Sequence, residues 1–395
     1  MPTYPRVLDE AKTVDGSNTY VGFRQSKSSA VFLGHSFISL GTDSDGDPTD
    51  IGWVTWFSAL AGQRLTVANR AGVGGNTYAQ MLARVATAVT PYTPGWVFLD
   101  SPVNDIAAGN SLAQVQADFL AIVAAVAPAR VVAYTATPSS LYNTAGKLAV
   151  LDGYNAWLRA LPAQSTALYP RLIVADVHDA VVDPTGTAFL AALTSDGTHP
   201  KPDGALAIAQ AIYTAVQPHL PSGLPILSAG TDSLNLLGNA GSFVNPSAGL
   251  AAGWTTFGSL GTTTTVARTD NVQGNWQKFV VPAASGGGQI WCAATGAAVG
   301  DVLIGSAELE VDALGDGAAN FPYYGIALQC IGVTAYTYYL SSADGATRRS
   351  IVPGSRLTLV TKPLTIPAGM TSVRLNLVMY GGGTFRWGRA GVRRA

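Results

Sequence analysis

Cysteine and histidine are scarce. Two cysteines, Cys292 and Cys330, and four histidines occur in 395 residues. No C-x-x-C pair exists, so a structural zinc site has no ligand set, and neither a metal nor another cofactor is expected. The cysteines could pair in an exported protein or stand as reduced core thiols, and the sequence leaves both open. Charge is equally thin. Charged residues make up 12% of the chain and the formal net charge is -1. Lys and Arg cluster only near the carboxyl terminus, so nucleic acid, bound mainly through phosphate neutralisation, is not an expected partner. No stretch reaches the roughly 18 uninterrupted apolar residues of a spanning helix, which argues against membrane insertion. The opening MPTYPRVLDEAKTVDG lacks the basic-then-apolar order of a signal peptide.

What fills the chain instead is Ala, Gly, Thr and Ser among short apolar runs, and the length suits two domains. Residues 1–28 are polar and irregular and read as an N-terminal arm. Residues 29–222 alternate short apolar runs with Ala-rich helical segments. Strands are expected at Ala30–Leu33, Arg64–Ala68, Trp96–Asp100, Val131–Tyr134 and Leu172–Asp176. Helices are expected at Trp53–Leu60, Ser111–Ala127, 147–160 and Pro202–Val216, the last with proline in its first turn. Alternation of this kind predicts an α/β fold, a three-layer α/β/α arrangement around a parallel sheet. In such sheets the chemistry lies beyond the carboxyl ends of the strands.

Four separated pieces stand at such places. They are Gly34-His35-Ser36, the turn Gly75-Asn76-Thr77 after Asn69-Arg70-Ala71-Gly72, Val103-Asn104-Asp105, and Asp196-Gly197-Thr198-His199. Each alone has an ordinary reading: a helix cap for Ser36 and for Asn104, turn glycines for 72–75, a self-bonded loop for 196–199. The Gly-rich turn fits neither a dinucleotide fingerprint nor a P-loop. Together the pieces supply what acyl transfer needs. A serine hydroxyl attacks only when a base takes its proton. His199 is the candidate base and Asp196, on the same loop, can orient its ring. His35 is the weaker candidate base, since adjacent residues on a strand-to-loop turn point apart.

In this order the pieces resemble the four blocks of SGNH (GDSL-type) hydrolases. The resemblance implies Ser36 as nucleophile, Asp196 and His199 as its partners, and an oxyanion hole of the Ser36 and Gly75 N–H groups with the Asn104 amide. It departs from the family at His35, where Asp is usual, and at Pro102, where Gly is usual.

Residues 226–395 have no helical period. Short runs such as Lys278–Val281, Arg356–Val360 and Val373–Val378, separated by Gly, Thr and Ser turns, predict an all-β sandwich or jelly roll. Asn235–Asn239, Gly253-Trp254 and Gly274–Gln277 resemble the opening of jelly-roll carbohydrate-binding modules. That resemblance makes Trp254 and Trp276 the leading candidates for stacking on a sugar, with Trp291, Tyr323, Tyr324, Tyr336, Tyr338 and Tyr339 behind them; core positions are the plainer reading. The Arg-rich end, Arg386 to Arg394, reads as a solvated terminus or as a contact in a homo-oligomer.

The expectation is a serine esterase that removes O-acetyl groups from a polysaccharide or cell-surface glycan, in an extracellular or virion-associated setting. A lipase, lysophospholipase or thioesterase of the same superfamily is the first alternative, and a non-catalytic glycan-binding, tail-fibre-like protein the second. All four blocks precede residue 225, so a fragment ending there is expected to hydrolyse small acetyl esters.

Overall fold

The apolar runs of the first half become the strands of one parallel sheet. In a computed structural model, residues 26–42, 46–164, 171–221, 233–270, 272–282, 287–314, 323–340 and 355–395 are described. Most of the expected N-terminal arm lies outside them. The strands are β1 (Ser26–Gly34), β2 (Thr66–Gly72), β3 (Pro94–Leu99), β4 (Arg130–Tyr134) and β5 (Leu172–Ala175), ordered β2-β1-β3-β4-β5. All four pairings are parallel. The helices are α1 (Ser36–Ser39), α2 (Trp53–Leu60), α3 (Tyr78–Ala83), α4 (Val85–Ala88), α5 (Val103–Ala108), α6 (Leu112–Ala125), α7 (Ala145–Gln164), α8 (His178–Val181) and α9 (Pro202–Val216). This is the expected α/β class, and the buried β1 run Ala30–Leu33 shows why a parallel strand reads as continuously apolar.

One boundary differs. The strand expected at 64–68 runs instead through Gly72, into the glycine-rich stretch. Pairing with central β1 decides it, with Val31 opposite Asn69 and Gly34 opposite Gly72. Tertiary pairing overrides local turn propensity there. A side chain at Gly72 would run into the backbone of Ser39 and His35, so the close approach needs glycine.

The second half forms two antiparallel sheets. Their strands are β6 (Thr255–Ser259), β7 (Thr262–Ala267), β8 (Asn275–Val281), β9 (Gly287–Ala294), β10 (Val302–Leu314), β11 (Tyr323–Ile331), β12 (Ala335–Tyr339), β13 (Ser355–Val360), β14 (Leu364–Thr365), β15 (Ser372–Tyr380) and β16 (Gly383–Arg394). One sheet runs β13-β10-β16-β8-β7, with β14 also on β10, and the other β12-β11-β15-β9-β6. Leu309, Leu357, Phe385 and Trp387 of the first, with Leu328, Leu375 and Leu377 of the second, are fully buried. The Arg-rich end is no solvated tail: β16 lies inside its sheet, paired to β10 and β8. Cys292 and Cys330 are buried free thiols, so the pair is not a disulfide. Burial pushes the Cys292 thiol up to about 11.

The compact units do not coincide with the two halves of the sequence. The first takes the described residues of Met1–Leu40, Arg64–Pro200 and Gln210–Ser222. The second takes those of Gly41–Gln63 and Lys201–Ala209 together with Gly223–Ala395. Residues 41–63 are tied into the second unit by specific bonds. Thr337 Oγ1 donates to Asp47 at 2.7 Å, and Lys362 pairs with the same buried carboxylate at 3.0 Å. Tyr339 Oη donates to the Thr55 carbonyl at 2.8 Å, and Gln63 donates to the Thr358 carbonyl at 3.0 Å. Helix α2 thereby joins edge strands β12 and β13, one from each sheet.

Candidate active site

Ser36 begins α1 directly after β1, where the chain leaves the sheet. The His35 side chain caps that short helix by accepting from the Phe37 N–H. The His35 ring is buried, and its Nε2 lies 3.0 Å from the Ser101 carbonyl. A carbonyl only accepts, so Nε2 carries the proton and the ring is committed to structure. His35 is therefore no candidate base.

The 194–200 loop is braced by its own polar groups. Thr194 Oγ1 accepts from the Gly197 N–H at 3.0 Å and donates to the His199 carbonyl at 2.8 Å. Gly197 adopts φ +82°, and a side chain there would press on Ser140. Asp196 divides its work between its two oxygens. Oδ1 accepts from the N–H groups of Thr198 at 2.9 Å and His199 at 2.7 Å, and Oδ2 lies 2.7 Å from His199 Nδ1. Burial resists the Asp196 charge, but the His199 ring and these two N–H donors outweigh it and hold the carboxyl at about 2. The opposite ring nitrogen, His199 Nε2, lies 3.0 Å from Ser36 Oγ. Three residues from two distant parts of the chain thus form one continuous hydrogen-bonded line.

Gly75 sits at φ +79°, the left-handed region that favours glycine, with open space where a side chain would be. The preceding turn is closed by the Asn76 N–H on the Val73 carbonyl. Asn104, on the first turn of α5, donates through Nδ2 to the Asn76 carbonyl at 3.0 Å. An amide nitrogen has two donors, so one remains for a ligand. Neighbouring Asp105 accepts from the Tyr78 N–H at 2.9 Å and from Asn110 at 3.1 Å, which fixes α5 against α3. Burial raises the Asp105 carboxyl above its ordinary range, although these donors work against the rise. Ser36, Gly75 and Asn104 follow β1, β2 and β3 in turn, all at the carboxyl edge of the sheet.

Sequence reasoning missed Arg84 and Asp100. Both left a signal: Arg84 is a lone charge in an Ala- and Leu-rich segment, and Asp100 is a charge closing a buried strand. Arg84 bonds to Asn76, Gly34 and Ala71, while Asp100 is fully buried and accepts from the His35 N–H.

The two tryptophans proposed for sugar stacking are placed otherwise. Trp254 is buried, stacked on Phe243 at 5.0 Å between ring centroids, with Nε1 donating to the Ala240 carbonyl. Trp276 is buried beneath Arg268, whose guanidinium lies 4.0 Å from the ring centroid, with Arg356 at 5.0 Å. Neither ring is free to meet a sugar. Tyr324 and Tyr339 are also buried, and Trp291 carries Arg374 at 3.7 Å. Tyr336 remains exposed, with Tyr338 beside it at 5.2 Å between ring centroids.

Among the described residues no group of three or more His, Cys, Asp or Glu side chains could hold a metal ion. No helix among them is long and apolar enough to cross a membrane.

A serine, a histidine and an aspartate in line at the carboxyl edge of a parallel sheet are the equipment of acyl hydrolases. Residues 32–207 match the GDSL-like Lipase/Acylhydrolase family. Similar solved structures include a GDSL-like lipase from Bacteroides thetaiotaomicron, 17% identical, covering 49% of this chain and 90% of that one with a TM-score of 0.39. Another is Axe2, an acetylxylan esterase from Geobacillus stearothermophilus, 19% identical, covering 49% and 95% with a TM-score of 0.40. No curated protein matches the chain.

Proposed function

We propose that this protein is a serine esterase that removes O-acetyl groups from a polysaccharide or cell-surface glycan through an acyl-enzyme. The observation that carries the reading is His199, which reaches Ser36 Oγ with one ring nitrogen and Asp196 with the other. In the first half-reaction Ser36 Oγ attacks the ester carbonyl while His199 Nε2 takes its proton. The Ser36 and Gly75 N–H groups and the free donor of Asn104 face the oxyanion; each such donor contributes roughly 3–4 kcal/mol to the transition state. Collapse expels the sugar alkoxide, which recovers the proton from His199. Water then repeats the sequence on the acetyl-serine, releasing acetate and restoring Ser36.

The substrate half rests on exposure. The side chains of His199 and Asp196 are 35% and 53% exposed. A base at the surface suits a short acyl group on a bulky polymeric alcohol better than a long chain that must be buried. Polymer binding by the second unit, an extracellular or virion-surface setting, and self-association belong to the same proposal. With Trp254 and Trp276 enclosed, Tyr336 and Tyr338 carry the proposed aromatic stacking.

A fluorophosphonate probe followed by peptide mapping tests the chemistry, and the expected adduct is on Ser36. Aryl esters of graded chain length test the acyl group. Acetate should be turned over fastest, and a rate that climbs toward long chains would replace the acetylesterase reading with a lipase one.

A further inference from the structure

The peptide unit joining Gly34 to His35 is gripped at both ends by charged side chains. Its N–H donates to Asp100 Oδ2 at 2.8 Å. Its carbonyl accepts from Arg84 Nη2 at 2.7 Å and from the Val73 N–H at 3.0 Å. A side chain on Gly34 would overlap the Asp100 carboxylate, so the approach of that carboxylate depends on glycine. The same guanidinium reaches two other segments. Nη2 also bonds the Ala71 carbonyl at 3.0 Å, at the end of β2, and Nε bonds Asn76 Oδ1 at 2.7 Å. Asn76 in turn holds Asn104 through its carbonyl.

We propose that Arg84 is a positioning residue for the esterase reaction: its planar fork fixes the peptide leading into Ser36 and, through Ala71 and Asn76, sets the Gly75 loop and Asn104 in register with it. This rests on the reading of Ser36 as nucleophile. The nucleophile turn and the oxyanion loop leave neighbouring strands that are paired as far as Gly34 and Gly72, and Arg84 adds a side-chain tie just beyond that pairing. A guanidinium can do so because its donors diverge in one rigid plane, whereas an ammonium is a single point of charge. Burial works against the Arg84 charge and the Asp100 carboxylate supports it, so cation and anion are set across the peptide they share. Arg84 touches no reacting atom. Its effect should therefore fall on kcat, because misplacing the oxyanion donors weakens the transition state more than the bound ester.

The test uses the full chain, with steady-state hydrolysis of p-nitrophenyl acetate, the rate of fluorophosphonate labelling, and thermal melting. Arg84→Gln is expected to lower kcat about 100-fold, with KM within about 2-fold and labelling slowed in parallel. Asn76→Ala removes one of the three contacts and keeps the carbonyl that holds Asn104. It is expected to lose roughly 10-fold, and Asn76→Asp, which keeps the acceptor for Nε, to recover most of that loss. A folded Arg84→Gln with kcat within about 2-fold of the parent would overturn the proposal, taking the misplacement scale above. Equal losses in Asn76→Ala and Asn76→Asp would overturn it too, and this pair decides the matter if Arg84→Gln does not fold. A parent protein left unlabelled at Ser36 removes the esterase reading and this proposal together. A labelled parent with an indifferent Arg84→Gln removes this proposal alone.

Discussion

Asp196 holds His199 twice, once at the ring through Nδ1 at 2.7 Å and once at the backbone N–H, also at 2.7 Å. The double grip fixes both the position of the residue and the plane of its ring. It also keeps Asp196 ionised, since the carboxyl is held at about 2.

The first prediction is a pH profile. The base must be unprotonated, so kcat/KM should rise with pH and then level off. Asp196 adds no step to that limb, because its own titration lies near 2, far below the window. Asp196→Asn should keep the fold and lower kcat roughly 100- to 10,000-fold by favouring the wrong tautomer. A rate flat from pH 5 to 8, or an Asp196→Asn variant near parental activity, would show that this pair is not the working one.

The second concerns the nucleophile. Ser36→Ala should lower aryl-acetate hydrolysis on the order of 10,000-fold or more, and His199→Ala should lose a similar amount. The double variant should be no worse than either single one, because the residues act as a unit. Melting temperatures should stay near that of the parent. Multiplicative losses in the double variant would mean that the two do not share one step.

Much of this site is legible in the sequence because its parts are local. The Asp196–His199 loop, Gly75 after β2 and Asn104 at the start of α5 each sit where a strand or helix signal ends. Helices Trp53–Leu60 and Pro202–Val216 begin and end where their apolar pattern does. What the sequence hides is long-range. Trp276, read as a candidate for an exposed sheet face, is buried with Phe279 and Val281 of the same strand. Nothing in the local sequence says that Arg268, just after β7, and Arg356, on β13, lie over its ring. Asp47 and Thr337 lie 290 residues apart, and neither carries a local mark of the other. Arg84 shows in the sequence as a lone charge, but its backbone-carbonyl partners have no sequence signature.

The third prediction follows from the covered tryptophans. Trp254→Ala and Trp276→Ala should each destabilise the protein by about 3–5 kcal/mol, as buried aromatics do. In the folded fraction, binding to an acetylated polymer should be unchanged. Tyr336→Ala should instead weaken polymer binding and leave melting nearly unaltered, since the residue is 43% exposed. Lost polymer binding in a fully folded Trp276→Ala would return that residue to the binding surface.

The fourth concerns the charge network over Trp276. The Arg268 side chain is 1% exposed and pairs with Asp270 at 2.6 Å and Glu308 at 2.8 Å. Arg268→Met takes one cation from each carboxylate, leaving Asp270 with Arg356 and Glu308 with Arg389, and the expected loss is about 2–3 kcal/mol near neutral pH. Arg268 is the main cause holding the Asp270 carboxyl well below its ordinary range. A carboxyl depressed in the folded state contributes stability above its unfolded pKa and loses it as pH falls. The gap between parent and variant should therefore narrow below about pH 4 in urea melts. A gap that stays constant down to pH 2.5 would mean that the loss is packing over Trp276 and not charge.

The last prediction reverses an expectation drawn from the position of the motifs. All four blocks precede residue 225, which suggests that a fragment ending there would be an active esterase. The placement of residues 41–63 argues otherwise. Trp53, Trp56 and Phe57 are fully buried, and the Trp56 ring lies 6.1 Å from that of Tyr324 on β11. Asp47, Thr55 and Gln63 bond to Thr337, Tyr339 and Thr358. Cutting at 225 removes every one of those partners and leaves an apolar helix uncovered. Exposed patches of that kind drive association. The 1–225 fragment is therefore expected to be largely insoluble, or to melt well below the full chain, and co-expression with 226–395 should restore soluble, active protein. The readouts are size-exclusion chromatography and p-nitrophenyl acetate hydrolysis. A monomeric fragment with parental kcat would show that residues 41–63 are held by the first unit after all.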